Sequence, residues 1–457
     1  MRKSYEMDMT RGPLLRSILI FTLPLLLSGV LQLLFNATDI VVVGQFAGAN
    51  AMASVGSTTS LFNLLINAFI GISVGANVLV ARYCGEKNYD GVQQTVQTSL
   101  LTGLVGGVIL VVLGIVLARP MLTLMKTPDE VIEGAVLYMR VYFIGIPATM
   151  IYNFGAAVLR AVGDTRRPLY FLIVSGVINA GLNMFLVIVF SLDVAGVAIA
   201  TVVSQAISCV LVLRCLYKSE GSYQLRFSKL CLKKDYIIPI FQVGIPAGIQ
   251  STVINFSNVL LQSSVNSFGS IAMAGYTAAN NVLGFLYTSV NSVTQACMSF
   301  TSQNYGVGKY KRMDKVLIDC LILSSGMALV MGGGAYLFGT EILQIYTGDP
   351  EVIRCGMEIL SITTVPYFLC GIMDVMTGVL RGVGYSLLPM IVSLMGACVF
   401  RIFWVMTIFA ANRTMDCLMI SYPVSWALTF LVLVVIFAVL WKKKIRPRYT
   451  PEELAAR

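Results

Sequence analysis

From Tyr236 to Gly308 the chain carries no Asp, Glu, Lys or Arg. A bilayer-spanning helix needs about 20 apolar residues, so this stretch is too long for one helix. The segment Asn266-Ser267-Phe268-Gly269-Ser270 supplies turn chemistry in its middle. Similar charge-poor runs follow one another along the sequence. They are Ser17–Thr38, Ile40–Ala81 (broken at Gly44–Gly48), Gly91–Ala118, Val141–Leu159, Pro168–Leu192 and Val194–Leu213. Further runs lie near Val316–Gly339, Ile353–Leu380, Leu387–Ala411 and Asp416–Trp441. Together they predict an all-α integral membrane protein of twelve transmembrane helices. The runs are continuous rather than alternating, which argues against a membrane β-barrel.

Composition narrows the function. Of 457 residues, 57% are hydrophobic and 12% charged, half the charge that soluble domains carry at about 25%. A soluble enzyme, a nucleic-acid module and a disordered scaffold are thereby excluded. The absence of histidine removes imidazole metal sites, triads and proton relays. Ten cysteines lie scattered through apolar stretches without a CxxC pair, and read as small buried hydrophobes. The charged start Met1–Arg16 runs straight into a full-length apolar helix, so no signal peptide is expected.

Lys and Arg set the expected orientation. With both termini cytoplasmic in a cell (inner) membrane, the inner side collects the basic residues of 2–16, 82–87, 160–167, 214–234, 309–315, Arg381 and 442–457. Only Arg119, Lys126, Arg140, Arg354 and Arg413 fall outside, and Arg401 lies within a span. The net charge of +10 is then an orientation signal, and no nucleic-acid partner is expected.

A shift of about 221 residues reveals an internal repeat. Leu159-Arg160-Ala161-Val162-Gly163 returns as Leu380-Arg381-Gly382-Val383-Gly384, and Pro168 falls on Pro389. Gly85 and Tyr89 fall on Gly306 and Tyr310, and Pro24 matches Pro246 at 222. Six spans per half is an even number, so the halves are parallel repeats like those of one class of secondary transporters. The expected layout is an N-terminal lobe (1–217), a cytoplasmic linker (218–235), a C-terminal lobe (236–441) and a basic tail (442–457). Two such bundles enclosing a cleft suit alternating access.

The segments MTRGPLLRSILIFTLPLLLSGVLQLLFNATDIVVVGQFAGANAMASVG, YNFGAAVLRAVGDTRRPLYFLIVSGVINAGLN and GVLRGVGYSLLP together resemble the bacterial branch of the multidrug and toxic compound extrusion (MATE) transporters. The resemblance covers nearly the whole chain. It implies a V-shaped pair of lobes that exports amphipathic, mostly cationic small molecules, no enzymatic activity and no cofactor. The coupling ion would be H⁺ or Na⁺.

Charges inside a bilayer cost about 2.5–3.5 kcal/mol each on insertion scales, and three stand out: Asp39, Asp374 and Arg401. Asp39 shares a helical stripe with Asn36 and Gln32, and lipid offers such groups no partner, so the stripe is expected to face the bundle interior. Loss of water penalises a carboxylate's charged form, which makes Asp39 a candidate proton carrier. The resemblance points to the same residue, since the acidic residue of the first span is the shared coupling position. Asn179 and Asn183 on the fifth span and Asn36 complete the expected coupling group, and any Na⁺ would sit near Asp39. Where archaeal-type relatives have an acidic residue on the fifth span, this chain has Asn183. Pro24, inside the first span, breaks a backbone hydrogen bond and is the expected hinge.

The substrate side is expected to use Gln32, Asn153, Asn255, Asn258, Tyr287 and Asp374, amides and an aromatic face that suit varied ligands. Sodium-coupled relatives of the resembled family carry acidic residues on the seventh and tenth spans. Here the first reads Asn255, and Asp374 stands about a turn from the second. An alternative role for Asp374 is a buried pair with Arg401. Other readings are a Na⁺-coupled drug antiporter, a lipid-linked oligosaccharide flippase of the same superfamily, and a membrane scaffold or intramembrane enzyme. No HExxH or GxSxG supports the last. The expected partners are amphipathic small molecules and the lipid bilayer, with the protein a monomer.

Overall fold

The computed structural model describes residues 5–46, 48–125 and 127–449. Arg2, Lys3, Lys126 and Arg457, which enter the orientation argument, lie outside the described residues. The elements are helical: α1 (Leu14–Phe46), α2 (Gly48–Gly85), α3 (Tyr89–Leu124), α4 (Asp129–Ala161), α5 (Arg166–Met184) and α6 (Asp193–Tyr217) come first. Then follow α7 (Lys234–Asn266), α8 (Ser270–Gly306), α9 (Tyr310–Leu337), α10 (Gly339–Gln344) and α11 (Pro350–Thr363). The last are α12 (Tyr367–Val383), α13 (Leu387–Ser393), α14 (Phe400–Trp404) and α15 (Met415–Leu440).

Among the described residues, ten helical spans are long and apolar enough to cross a bilayer, and α11 with α12, bent by 51°, makes an eleventh. The twelfth expected span is α8. Its 37 residues suffice in length, but Asn280, Asn281, Asn291, Gln295 and many hydroxyls lower its apolarity. Packing explains how it tolerates them, since α8 lies against α9, α11 and α12.

Contacts divide the described chain into two units, residues 5–8 with 27–248 and residues 9–26 with 249–449. This differs from a boundary in the 218–235 linker. The start of α1 belongs with the later helices, and the start of α7 with the earlier ones. Both changes of allegiance fall just after a proline inside the helix, Pro24 and Pro246, where the regular hydrogen-bond ladder is interrupted.

In the first unit α4 packs on α2, α3 and α6. Lipid gives helices no hydrophobic reason to associate, so close packing of small residues must hold them. Gly103, Gly107 and Gly114 of α3 supply it by seating Phe154, Pro147 and Phe143 of α4. Gly71 and Gly75 of α2 lie against Gly248 and the Ile240–Gly244 backbone of α7, so two GxxxG steps face each other. In the second unit α8, α9, α11, α12 and α15 pack around one another.

The repeated Leu-Arg-x-Val-Gly motif now has a physical reason. It ends α4 and α12, and its glycines, Gly163 (φ 93°) and Gly384 (φ 105°), take the left-handed conformation that closes a helix. Beyond Gly163, Asp164 is 1% exposed and opens α5. One carboxylate oxygen accepts from the backbone N–H groups of Arg166 and Arg167 at 3.1 Å each, and the other pairs with Arg167 Nε at 3.1 Å. Burial still outweighs these contacts and holds this carboxyl above its ordinary value. Asp164→Ala is expected to cost about 1–2 kcal/mol, as lost helix caps do, read as a lower thermal unfolding midpoint in detergent.

Candidate functional site

In the first unit α1, α5 and α6 bring together a chain of polar groups. Asn183 donates from Nδ2 to the Asp39 carboxylate and, at 3.3 Å, to Asn179 Oδ1 one turn away. Asn179 Nδ2 in turn donates to Ser204 Oγ at 3.4 Å and Thr201 Oγ1 at 3.5 Å on α6. Those hydroxyls end the chain on backbone carbonyls of their own helix, Thr201 on Val197 and Ser204 on Thr201. Asn179 and Asn183 are buried and Asp39 half-buried. The α-helical ladder gives way to a π-turn at Phe185–Val189 directly after this pair, a local widening that recurs near functional groups.

One atom in this network is unsatisfied: among the described residues Asn183 Oδ1 is buried without a partner. A charged Asp39 only accepts hydrogen bonds, whereas a neutral one also donates. If Asp39 takes up a proton, a turn of the Asn183 amide would present Oδ1 to the new hydroxyl and change the bond to Asn179. The site can therefore convert protonation into rearrangement along α5 and α6.

The other expected residues divide. Gln32 and Asn36 are exposed, so the polar stripe on α1 does not enter the core as a whole; only Asp39 turns into the hydrogen-bonded group. Pro24 is buried in the part of α1 that belongs to the second unit. Asn153 is half-buried and donates to Thr149 O on its own helix at 2.8 Å.

In the second unit Asp374 of α12 is half-buried, and Arg381 lies two turns along the same helix. Arg381 Nη2 donates to Gln250 Oε1 at 2.7 Å, and Gln250 Nε2 donates to Ser393 Oγ at 2.9 Å. Pairing of Asp374 with Arg401 is not what the structure contains. Arg401 is 3% exposed and donates to Ser425 Oγ at 3.0 Å and Asn258 Oδ1 at 3.4 Å. Tyr287 is exposed and Asn255 half-buried. Thr201, Ser204 and Gln250 carried no signal that sets them apart from other polar residues in helices. Among the described residues, no three Cys, Asp or Glu side chains gather as a metal site.

A duplicated set of membrane-spanning helices, with a half-buried carboxylate hydrogen-bonded inside one repeat, is an arrangement that fits a membrane transporter. The MatE family profile matches residues 24–185 and again 246–407. YoeA of Bacillus subtilis, a probable multidrug resistance protein, is 30% identical over 443 residues, 94% of either chain. NorM of Thermotoga maritima, described in the same terms, is 28% identical over 83% of this chain and 82% of its own. An outward-facing MATE family transporter of the MOP superfamily shares the fold with a TM-score of 0.88 at 19% identity, covering 95% of this chain and 98% of that one. A MOP superfamily transporter from Pyrococcus furiosus gives 0.90 at 19% identity over 97% and 100%. The chain belongs to the MATE family of membrane transporters.

Proposed function

We propose that this protein exports amphipathic, mostly cationic compounds from a bacterial cell in exchange for H⁺, by alternating access, with both termini cytoplasmic. The observation that carries the proposal is the hydrogen-bonded run from Asp39 through Asn183 and Asn179 to Thr201 and Ser204. Family membership and the names of YoeA and NorM support drug-like cargo. In the working cycle Asp39 takes a proton from outside, its new hydroxyl turns the Asn183 amide, and ligand is released. Loss of the proton inward restores the bond and readies the site. When the exchange is electrogenic, each net charge moved gains about 2.3 kcal/mol per 100 mV, enough for a roughly fifty-fold gradient of ligand. Asp374 and Tyr287 supply negative charge and a ring face to the cation, while Asn258 serves Arg401.

A second reading has its own observation. The unpartnered oxygen of Asn183 beside a carboxylate offers two oxygens to Na⁺, which would then replace H⁺ as the coupling ion. Efflux of an ethidium-like cation from proteoliposomes, with H⁺ and Na⁺ gradients imposed separately, decides between them. The H⁺ gradient alone is expected to drive efflux. Drive by Na⁺ alone transfers the coupling role, and failure of both overturns the antiport reading.

A further inference from the structure

The matched stretches are offset by 222 residues, so Asn36 falls on Asn258 and Asp39 on Leu261, which is 1% exposed. At the 221-residue offset that aligns Pro168 with Pro389, Asn179 falls on Phe400, beside Arg401, and Ser204 falls on Ser425. The supporting hydroxyl is retained: Asn179 donates to Ser204 on the following helix, and Arg401 to Ser425. π-turns flank Arg401 at Leu394–Val399 and Val405–Phe409, as one follows Asn183 in the first unit. The second unit thus lacks the carboxylate of the first and carries a buried cation in the corresponding span.

Arg401 cannot shed this charge, because guanidinium does not deprotonate in proteins. Its neighbours are all formally neutral. Two of its five N–H donors reach Ser425 and Asn258, and its face lies 4.2 Å from the centre of the Tyr422 ring. Tyr422 is itself hydrogen-bonded to Tyr276 at 3.1 Å. Among the described residues no carboxylate pairs with Arg401, and Arg381 donates to Gln250. A buried charge without a counter-charge is expensive, more so within a bilayer. Neutral acceptors and one ring face offset part of that cost.

We propose that Arg401, beside Asn258 and Ser425, binds a small monovalent anion inside the second unit, either a halide or the carboxylate of a small organic acid. The anion takes the N–H donors that no side chain occupies and neutralises the cation. The burial of Arg401 limits the ligand to one that fits between packed helices. This site is independent of the antiport reading, because its test measures binding.

The test uses the purified full-length protein in detergent, with chloride replacing methanesulfonate at constant ionic strength. Trp426, which packs on Tyr422 with ring centres 5.7 Å apart, reports the site by fluorescence, and the unfolding midpoint reports stabilisation by a bound ligand. A saturable response to chloride is expected, weakened by about tenfold or more in Arg401→Gln, as befits loss of a charge-assisted contact. Asn258→Ala keeps the cation but removes a competing acceptor, so the apparent chloride affinity is expected to rise. Acetate and benzoate arms separate the sources. A response to chloride alone assigns an inorganic ion, and competition by acetate or benzoate assigns a carboxylate. The proposal is overturned if neither anion gives a saturable response, or if Arg401→Gln responds like the parent. Should Arg401→Gln not fold, an unchanged affinity in Asn258→Ala overturns it.

Discussion

Asp39→Asn is expected to abolish efflux driven by a proton gradient, lowering its rate by at least about tenfold, a change of roughly 1.4 kcal/mol or more in the limiting step. The substitution is chosen for what it preserves. Asparagine has nearly the shape of aspartate and still offers an oxygen to Asn183, so the connection to Asn179, Thr201 and Ser204 survives. What disappears is the charge and the capacity to take a proton. Folding is therefore expected to stay near the parent, read as an unchanged elution profile and unfolding midpoint. Binding of a fluorescent cation in detergent is expected to persist, because Asp374 and Tyr287 are untouched. The contrast between retained binding and lost gradient response separates coupling from ligand recognition. Undiminished, pH-gradient-dependent efflux in this variant would remove Asp39 from the mechanism.

Gly248→Leu is expected to have the largest structural effect. A Cβ at residue 248 would meet the backbone of Ala68 on α2, and one at Gly75 would meet the backbone of Ile240. Main chain lies on both sides of this contact, so no side chain can swing away. Overpacking of cores costs about 1–3 kcal/mol and occasionally more, and a collision between backbones belongs at or beyond the upper end. Little monodisperse protein is expected from size exclusion in detergent, and what is recovered should melt earlier. Gly326→Leu on α9 is the matched control, because a side chain there meets nothing within 4 Å. Equal loss in both variants would mean that leucine at a helical glycine is harmful in general, and that the α2–α7 contact is nothing special.

The spans and the duplication were legible because each leaves a mark in the linear chain: charge-free runs for the first, recurring Leu-Arg-x-Val-Gly and Pro24 with Pro246 for the second. Gly71 and Gly75 were readable as a close-packing step, yet their counterpart, Gly244 and Gly248, lies far away in sequence. Asp39 was found because a carboxylate among apolar residues needs a reason. Its bond to Asn183 was anticipated in kind, since one helix turn separates Asn179 from Asn183. The inward turn of the whole Gln32–Asn36–Asp39 stripe was not a safe extrapolation. Helical spacing gives the face residues share, but not how far along that face a neighbouring helix extends. Arg401 shows the same limit from the other side, because the sequence offers Asp374 as its partner and the structure does not pair them. Arg401 proved to be served by hydroxyl, amide and ring, groups too common in this chain to single out.

The split of α1 has a consequence for how the protein is made. Residues 9–26 are translated long before the segments they contact. Met9 is hydrogen-bonded by Gln303 and Asn304, and Phe21 meets Phe300 edge to face, 5.6 Å between ring centres. The earlier helices must likewise wait for the start of α7. Domains usually mature in order of synthesis, and here neither half can be completed until the other is partly built. The first half of α1 therefore waits for its final neighbours until the later helices have been made.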